Sequence, residues 1–139
     1  MKAFLTLVLG LLLCSCTNER KAQFNDQKAL LLKELRVASH LTFLTEPEEF
    51  IKVDDAIEDL LMRMDLRDDR LRIMIRRAGE LVNGSSAPAR TYKADLAKGE
   101  DRSRSEERFR TVVRDEVDKL RKEALELASE VAALEYRAE

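Results

Sequence analysis

The side chains that could do chemistry are one histidine, two cysteines, a run of carboxylates and a run of arginines. His40 has no second histidine to share a metal with, and a Ser–His–Asp arrangement would have to be built on a single imidazole within a helical pattern. It reads as a partly exposed helix residue of the type that ordinarily titrates closest to neutral pH. The carboxylates Glu48, Glu49, Asp54, Asp55, Glu58 and Asp59 include the pairs Asp54 with Glu58 and Asp55 with Asp59, whose spacing sets like charges side by side on a helix. A calcium loop needs ligands at fixed spacing around a turn glycine, and this segment has none. The reading is a solvated acidic flank near a helix start, where the helix dipole favours negative charge.

Arginines cluster at Arg63, Arg67, Arg70, Arg72, Arg76 and Arg77. At about 100° per residue, Arg63, Arg67, Arg70 and Arg77 fall in one stripe, which makes them the candidate interaction residues. Planar guanidinium forks suit lipid phosphates or an acidic partner helix. The competing reading pairs them with Asp65, Asp68, Asp69 and the acids of the last helix. A glycine-rich phosphate loop and an aromatic-interleaved basic patch are both missing. The expectation is therefore no enzyme, no cofactor, no metal and no nucleic acid.

The N-terminus carries the clearest positional information. Lys2 is followed by an apolar stretch from Ala3 to Leu13, then small residues and Cys16. A basic head and an apolar core too short to span a bilayer are the build of a secretory signal peptide. Leu13-Cys14-Ser15-Cys16 resembles the lipobox of bacterial lipoproteins: a leucine, two small residues, the cut, and a cysteine. Its departure is Cys14, where alanine, serine or valine is commoner. The resemblance implies cleavage after Ser15, diacylation of the Cys16 sulfur and acylation of its new amine. Triple acylation exceeds the two lipid signals that stable anchoring takes. Thr17, rather than aspartate, resembles the outer-membrane sorting pattern of Gram-negative lipoproteins, which would place the protein on the outer membrane facing the periplasm. With Cys14 removed and Cys16 acylated, no thiol remains for a disulfide, a metal or a nucleophile.

Composition bounds the rest. The chain has 139 residues, 37% charged and 5% aromatic, with four glycines, two prolines and no tryptophan. Such a balance suits exposed helices. Its net charge of −2 argues against a general nucleic-acid binder.

The elements that must position these residues follow from apolar spacing. Residues 1–15 read as the signal peptide, 16–25 as the lipidated cysteine and tether, and 26–139 as one helical domain. A first helix is expected over about 26–44, with Leu31, Leu35, Ala38 and Leu41 on its apolar face. Thr45, Pro47 and Glu48 then form a helix-start signature, Thr45 capping and Glu48 closing a capping box. The helix after it runs over about 46–82: Phe50, Val53, Ile57, Leu60, Met64, Arg67, Leu71, Met74, Ala78 and Leu81 step by three and four, and only Arg67 breaks the apolar row. Met62, Met64 and Met74, with Phe43 and Phe50, read as core filling. Gly84-Ser85-Ser86-Ala87-Pro88 is breaker-rich and makes about 83–104 a linker, with a brief helix over Thr91 to Lys98 at most. The last helix, about 105–138 with Ser103 or Ser105 as cap, carries a heptad seam at Val113, Val117, Leu120, Ala124, Leu127, Val131 and Leu134.

The expected fold is all-α: a lipid-anchored antiparallel helical hairpin or three-helix bundle with coiled-coil character. In that arrangement the linker bearing Tyr92, Lys93 and Lys98 lies at the Cys16 end. Two further resemblances bear on role. Leu44-Thr45-Glu46-Pro47-Glu48 resembles the Leu-Thr-x-x-Gln motif of periplasmic helical stress adaptors and chaperones, with Glu48 in place of glutamine. The anchored heptad design is similar to the murein lipoprotein, without the terminal lysine that joins that protein to the cell wall. The expected function is a non-enzymatic envelope lipoprotein presenting a helical surface for protein–protein interaction, in a structural or adaptor role. A periplasmic chaperone or stress adaptor is the alternative. The expected partners are the membrane, through the lipid anchor, and a protein, with a homo-oligomer as one form of it.

Overall fold

The structure is a computed structural model that describes the backbone of residues 2–138 and the side chains of residues 15–138. The side chains of the expected signal segment, up to Cys14, lie outside the described residues. Four helices make up the fold among the described residues: α1 (Lys2–Ala38), α2 (Pro47–Leu61), α3 (Asp69–Ala97) and α4 (Arg102–Ala132). Their main contacts run around a ring, α1 to α2 to α3 to α4 and back to α1. Each carries one apolar stripe inward, the solution by which amphipathic helices make a bundle.

α1 buries Phe24, Gln27, Leu31, Leu35 and Ala38 at helical spacing. The segment expected as a tether, 16–25, is therefore helical and already delivers Phe24 to the core. The helix stops short of the expected Leu44. Its Arg36 carbonyl is taken by the Ser39 hydroxyl, which donates to it at 2.7 Å, and by His40 Nδ1, at 2.7 Å from the same oxygen, while backbone N–H groups of residues 39–41 take those of Leu35, Val37 and Ala38. A carbonyl only accepts, so Nδ1 carries the proton. Phe43 and Leu44 are left exposed in the turn.

α2 starts at Pro47 after Glu46, with no side-chain cap. Thr45 Oγ1 instead accepts the Thr42 N–H at 2.8 Å, and Glu48 pairs with Lys93 at 3.0 Å, so the expected capping box is not made. Phe50, Val53, Ile57 and Leu60 form the buried row, as their spacing predicts.

The expected helix over 46–82 is two helices. Residues 62–68 interrupt it: Arg63 grips Asp65 through two hydrogen bonds of 2.9 Å, Leu66 is buried, and Asp68 caps α3 by accepting the Leu71 N–H at 3.0 Å. Aspartate is a better cap than helix-interior residue, so three aspartates in five residues favour a break. Two expectations fall with it. Met64 is fully exposed and Met62 largely so, rather than core, and Arg67 lies in the loop rather than in a helical seam.

The expected linker over 83–104 is mostly helix, because α3 runs on to Ala97 with Pro88 inside it. Ser85, Ser86 and Ala89 are wholly buried. Small residues here let neighbouring helices approach: a Cβ on Gly84 would stand 2.8 Å from Glu116 Oε2 of α4. Ser86 donates to Asp54 of α2 at 2.9 Å, and Arg90 reaches Asp54 at 3.1 Å and Asp55 at 2.6 Å. Tertiary packing thus overrides the breaker-rich local sequence. α3 is terminated just past its cap residue Lys98 by Gly99, whose φ of +82° is the left-handed conformation glycine tolerates. Asp101, not Ser103 or Ser105, caps α4 by accepting the Arg104 N–H at 2.9 Å.

On α4 the heptad positions Val113, Val117, Leu120, Ala124, Leu127 and Val131 are all buried, and Leu134 is partly so. The helix ends at Ala132 rather than near 138, and the tail turns across the bundle, with Tyr136 on Phe24 at 5.8 Å between ring centroids. Because 46–82 splits, each helix reverses the one before it. The 62–68 loop and the tail share the Cys16 end with the start of the core, while Tyr92, Lys93 and Lys98 sit at the opposite end, not at the Cys16 end as expected.

Candidate functional site

The chemistry of the chain concentrates at the Cys16 end. Cys16 is exposed on α1, and Ser15 to Ala22 are exposed with it. Phe24, the first described core residue, follows after about 12 Å of helix. Among the described residues no helix is long and apolar enough to cross a membrane, and no cluster of histidine, cysteine and carboxylates could hold a metal.

Three segments meet at this end. Lys28 Nζ donates to the Ala132 and Leu134 carbonyls at 2.9 and 2.8 Å, which satisfies the free end of α4 and fixes the tail to α1. Arg70 Nη2 donates to the Glu135 carbonyl at 2.9 Å and to Asp68 at 2.8 Å. Arg63 joins the loop to α1 through Asp26 at 3.0 Å. Between the three segments lies a cleft of about 240 Å³, walled by Arg20, Gln23, Phe24 and Gln27 of α1, Asp65, Arg67 and Asp68 of the loop, and Tyr136 and Arg137 of the tail.

The four arginines singled out in the sequence do not act as one stripe. Arg63 belongs to Asp65 and Asp26, Arg70 to Asp68, and Arg77 to Glu130 of α4. Arg67 has no ion pair among the described residues and faces the cleft. The acids of the cleft are already engaged. The Arg63 hydrogen bond holds the Asp65 carboxyl below its ordinary range. At Asp68 burial pushes upward, and the Arg70 and Leu71 hydrogen bonds outweigh it, leaving the net shift downward. Both are carboxylates at neutral pH, Asp68 paired with Arg70 and Asp65 with Arg63, which it shares with Asp26.

Arg20, Gln27 and Arg137 are the site residues that sequence reasoning missed. Gln27 is 1% exposed, and its Nε2 makes no hydrogen bond of good geometry, although the side chain stands near enough to Asp65 to help lower its pKa slightly. A signal for it existed: Gln27 is the polar member of the row Phe24, Gln27, Leu31, which the sequence reading began only at Leu31. Arg137 carried none, since its place depends on where the tail lands.

The other acids and His40 form no constellation. Glu49 pairs with Lys52 at 3.0 Å, Glu58 and Asp59 are exposed on α2, and His40 is spent on the end of α1. No protein-family model matches the chain, and neither a curated protein nor a solved structure shows significant similarity to it.

Proposed function

We propose that this is a non-enzymatic lipoprotein of the bacterial envelope, anchored through Cys16, whose four-helix bundle presents its outer faces to a protein partner. One observation carries the reading: the cysteine of the lipobox-like run is exposed on α1, about two turns before the core begins. Acyl chains on that sulfur would leave the bundle intact and hold it close to the bilayer. The Thr17 pattern favours the outer membrane, facing the periplasm. Ile73 on α3 and Leu125 on α4 are more than half exposed and supply apolar contact area on the outer faces. Their role is that of a structural or adaptor surface.

The test is lipid labelling with a cross-link. Labelled palmitate should enter the wild-type chain, and Cys16→Ser should abolish labelling and release the protein from membranes in a carbonate wash. A photo-reactive residue in place of Leu125 should capture one discrete protein in cells, or a second copy of the chain. Labelling that survives Cys16→Ser would end the anchoring reading, and a photoproduct no different from that of a Lys122 probe would end the partner reading.

A further inference from the structure

The cleft at the Cys16 end holds more positive charge than the fold uses. Asp65 is paired with Arg63, which Asp26 shares, and Asp68 with Arg70, both guanidiniums lying outside its walls. That leaves Arg20, Arg67 and Arg137, none with an ion pair among the described residues, around one small volume. Three separate segments bring them there: α1, the 62–68 loop and the tail. At the back is Gln27, 99% buried, with an amide donor lacking a well-formed hydrogen bond. A buried donor without a well-formed partner is costly, and the Asp65 carboxylate stands near enough to offset part of that cost. The three guanidiniums outnumber the two wall carboxylates, which are themselves already paired, and that excess suits a compact oxyanion, because guanidinium forks match phosphate in shape as well as charge.

Position identifies the source of that phosphate. Arg20 follows Cys16 by one helical turn, about 6 Å along the axis and on the same face. Arg20 itself walls the cleft. A bilayer head-group layer is several ångströms deep on each side, so an anchored Cys16 brings the mouth of the cleft to lipid phosphates. We propose that this cleft binds a phosphate oxyanion, and that the phosphate is the head group of an anionic phospholipid in the membrane holding the anchor. The phosphate chemistry stands on the cleft alone; the lipid source rests on the anchoring proposed above. Occupancy would tie loop, tail and α1 together and fix the tilt of the bundle on the membrane.

The experiment uses the full chain in neutral maltoside micelles. It is titrated separately with inorganic phosphate, with phosphatidylglycerol doped into the micelles and with phosphatidylcholine doped likewise, read by phosphorus NMR of the probe and by melting temperature. Saturable binding is expected for phosphatidylglycerol, and weaker binding for inorganic phosphate. Both should weaken by at least about tenfold in the Arg67→Gln, Arg137→Gln double variant, the scale of losing charge-assisted hydrogen bonds. These two residues are exposed, so the variant should keep the wild-type helical circular dichroism. The Lys98→Gln, Arg104→Gln double variant, an equal loss of charge at the opposite end, should change binding less than about twofold, as exposed charges distant from the site should. Equal weakening in that double variant, or no saturable binding by any probe, overturns the site. Binding of inorganic phosphate with no preference for phosphatidylglycerol overturns the lipid source. Palmitate labelling of Cys16 is read independently, so failure of the anchor and failure of the cleft are distinguishable.

Discussion

Asp68 shows how much one side chain decides. It caps α3, holds Arg70 and helps wall the cleft. Asp68→Ala should cost about 1–2 kcal/mol, the worth of a lost cap, while Asp68→Asn should keep most of the cap and lose only the pairing with Arg70. Urea titration of both variants separates the two contributions. Gly79 sits mid-helix, where a Cβ would stand 3.7 Å from Ile57 Cγ2, an ordinary contact. Gly79→Ala should therefore stabilise by roughly 0.5–1 kcal/mol through helix propensity alone. A loss instead would mean that α2 and α3 are packed more tightly than that distance implies. At this scale the sequence was partly legible. The acids that receive Arg63 and Arg70 were candidates two residues away, and Glu130 was one among the acids of the last helix, but Asp26 as a second partner of Arg63 was not, because nothing local to either residue points to the meeting of the 62–68 loop with α1.

Helix α3 carries its own test as an element. Pro88 removes the N–H that would bond to the Gly84 carbonyl one turn back, yet the helix continues for nine residues to Ala97. Burial of Ser85, Ser86 and Ala89, and the Ser86 and Arg90 bonds to α2, hold it together across that gap. Pro88→Ala should then raise stability, by roughly 1–3 kcal/mol, with unchanged helical content by circular dichroism. A drop would show that the half-buried ring matters to packing more than the missing bond. α4 gives the contrasting case. Leu127→Ala should cost roughly 2–5 kcal/mol because the site is buried, whereas Lys122→Ala should stay within about half a kcal/mol. Comparable small shifts in chemical denaturation would mean that the seam is not packed in solution.

The whole molecule sets its packed ring of helices among ion pairs, some within the 62–68 loop and some between helices, and acid should weaken it as their carboxylates take up protons. Asp65, Asp68 and Glu130 have lowered pKa values, through Arg63 at Asp65, through Arg70 and Leu71 against burial at Asp68, and through Arg77 at Glu130. A carboxyl whose folded pKa is depressed lends stability that is fully present above its ordinary value of 3.8 or 4.5 and is lost as pH falls through the folded value. Glu34 has the opposite sign: burial raises its pKa, with Lys33 partly opposing. Its charged form weakens the fold at neutral pH, and protonation relieves this as pH falls through the raised value. Melting temperature should thus rise slightly from neutral pH toward mild acid and fall below about pH 4. Glu34→Gln should remove the rise and keep the fall. A rise that persists in this variant would assign it to another group.

The sequence by itself determined the helical class, the buried row Phe50, Val53, Ile57 and Leu60 on α2, and the seam from Val113 to Val131 on α4. These follow from a period of three and four among neighbouring residues, and local spacing is all a helix needs to choose its buried face. Arg67 as the misfit of its row was also visible, though a misfit could mean a buried charge, an interface or a break. Tertiary structure decided between them. It decided the break at 62–68, where Leu66 finds the core and Arg63 finds Asp26. It decided the helix through Pro88, whose small face is stable only between α2 and α4. And it decided the cleft, because Arg20, Arg67 and Arg137 lie on segments far apart in the chain that meet only when the bundle closes. Burial and charge balance are set by neighbours in space, and those are not the neighbours in sequence.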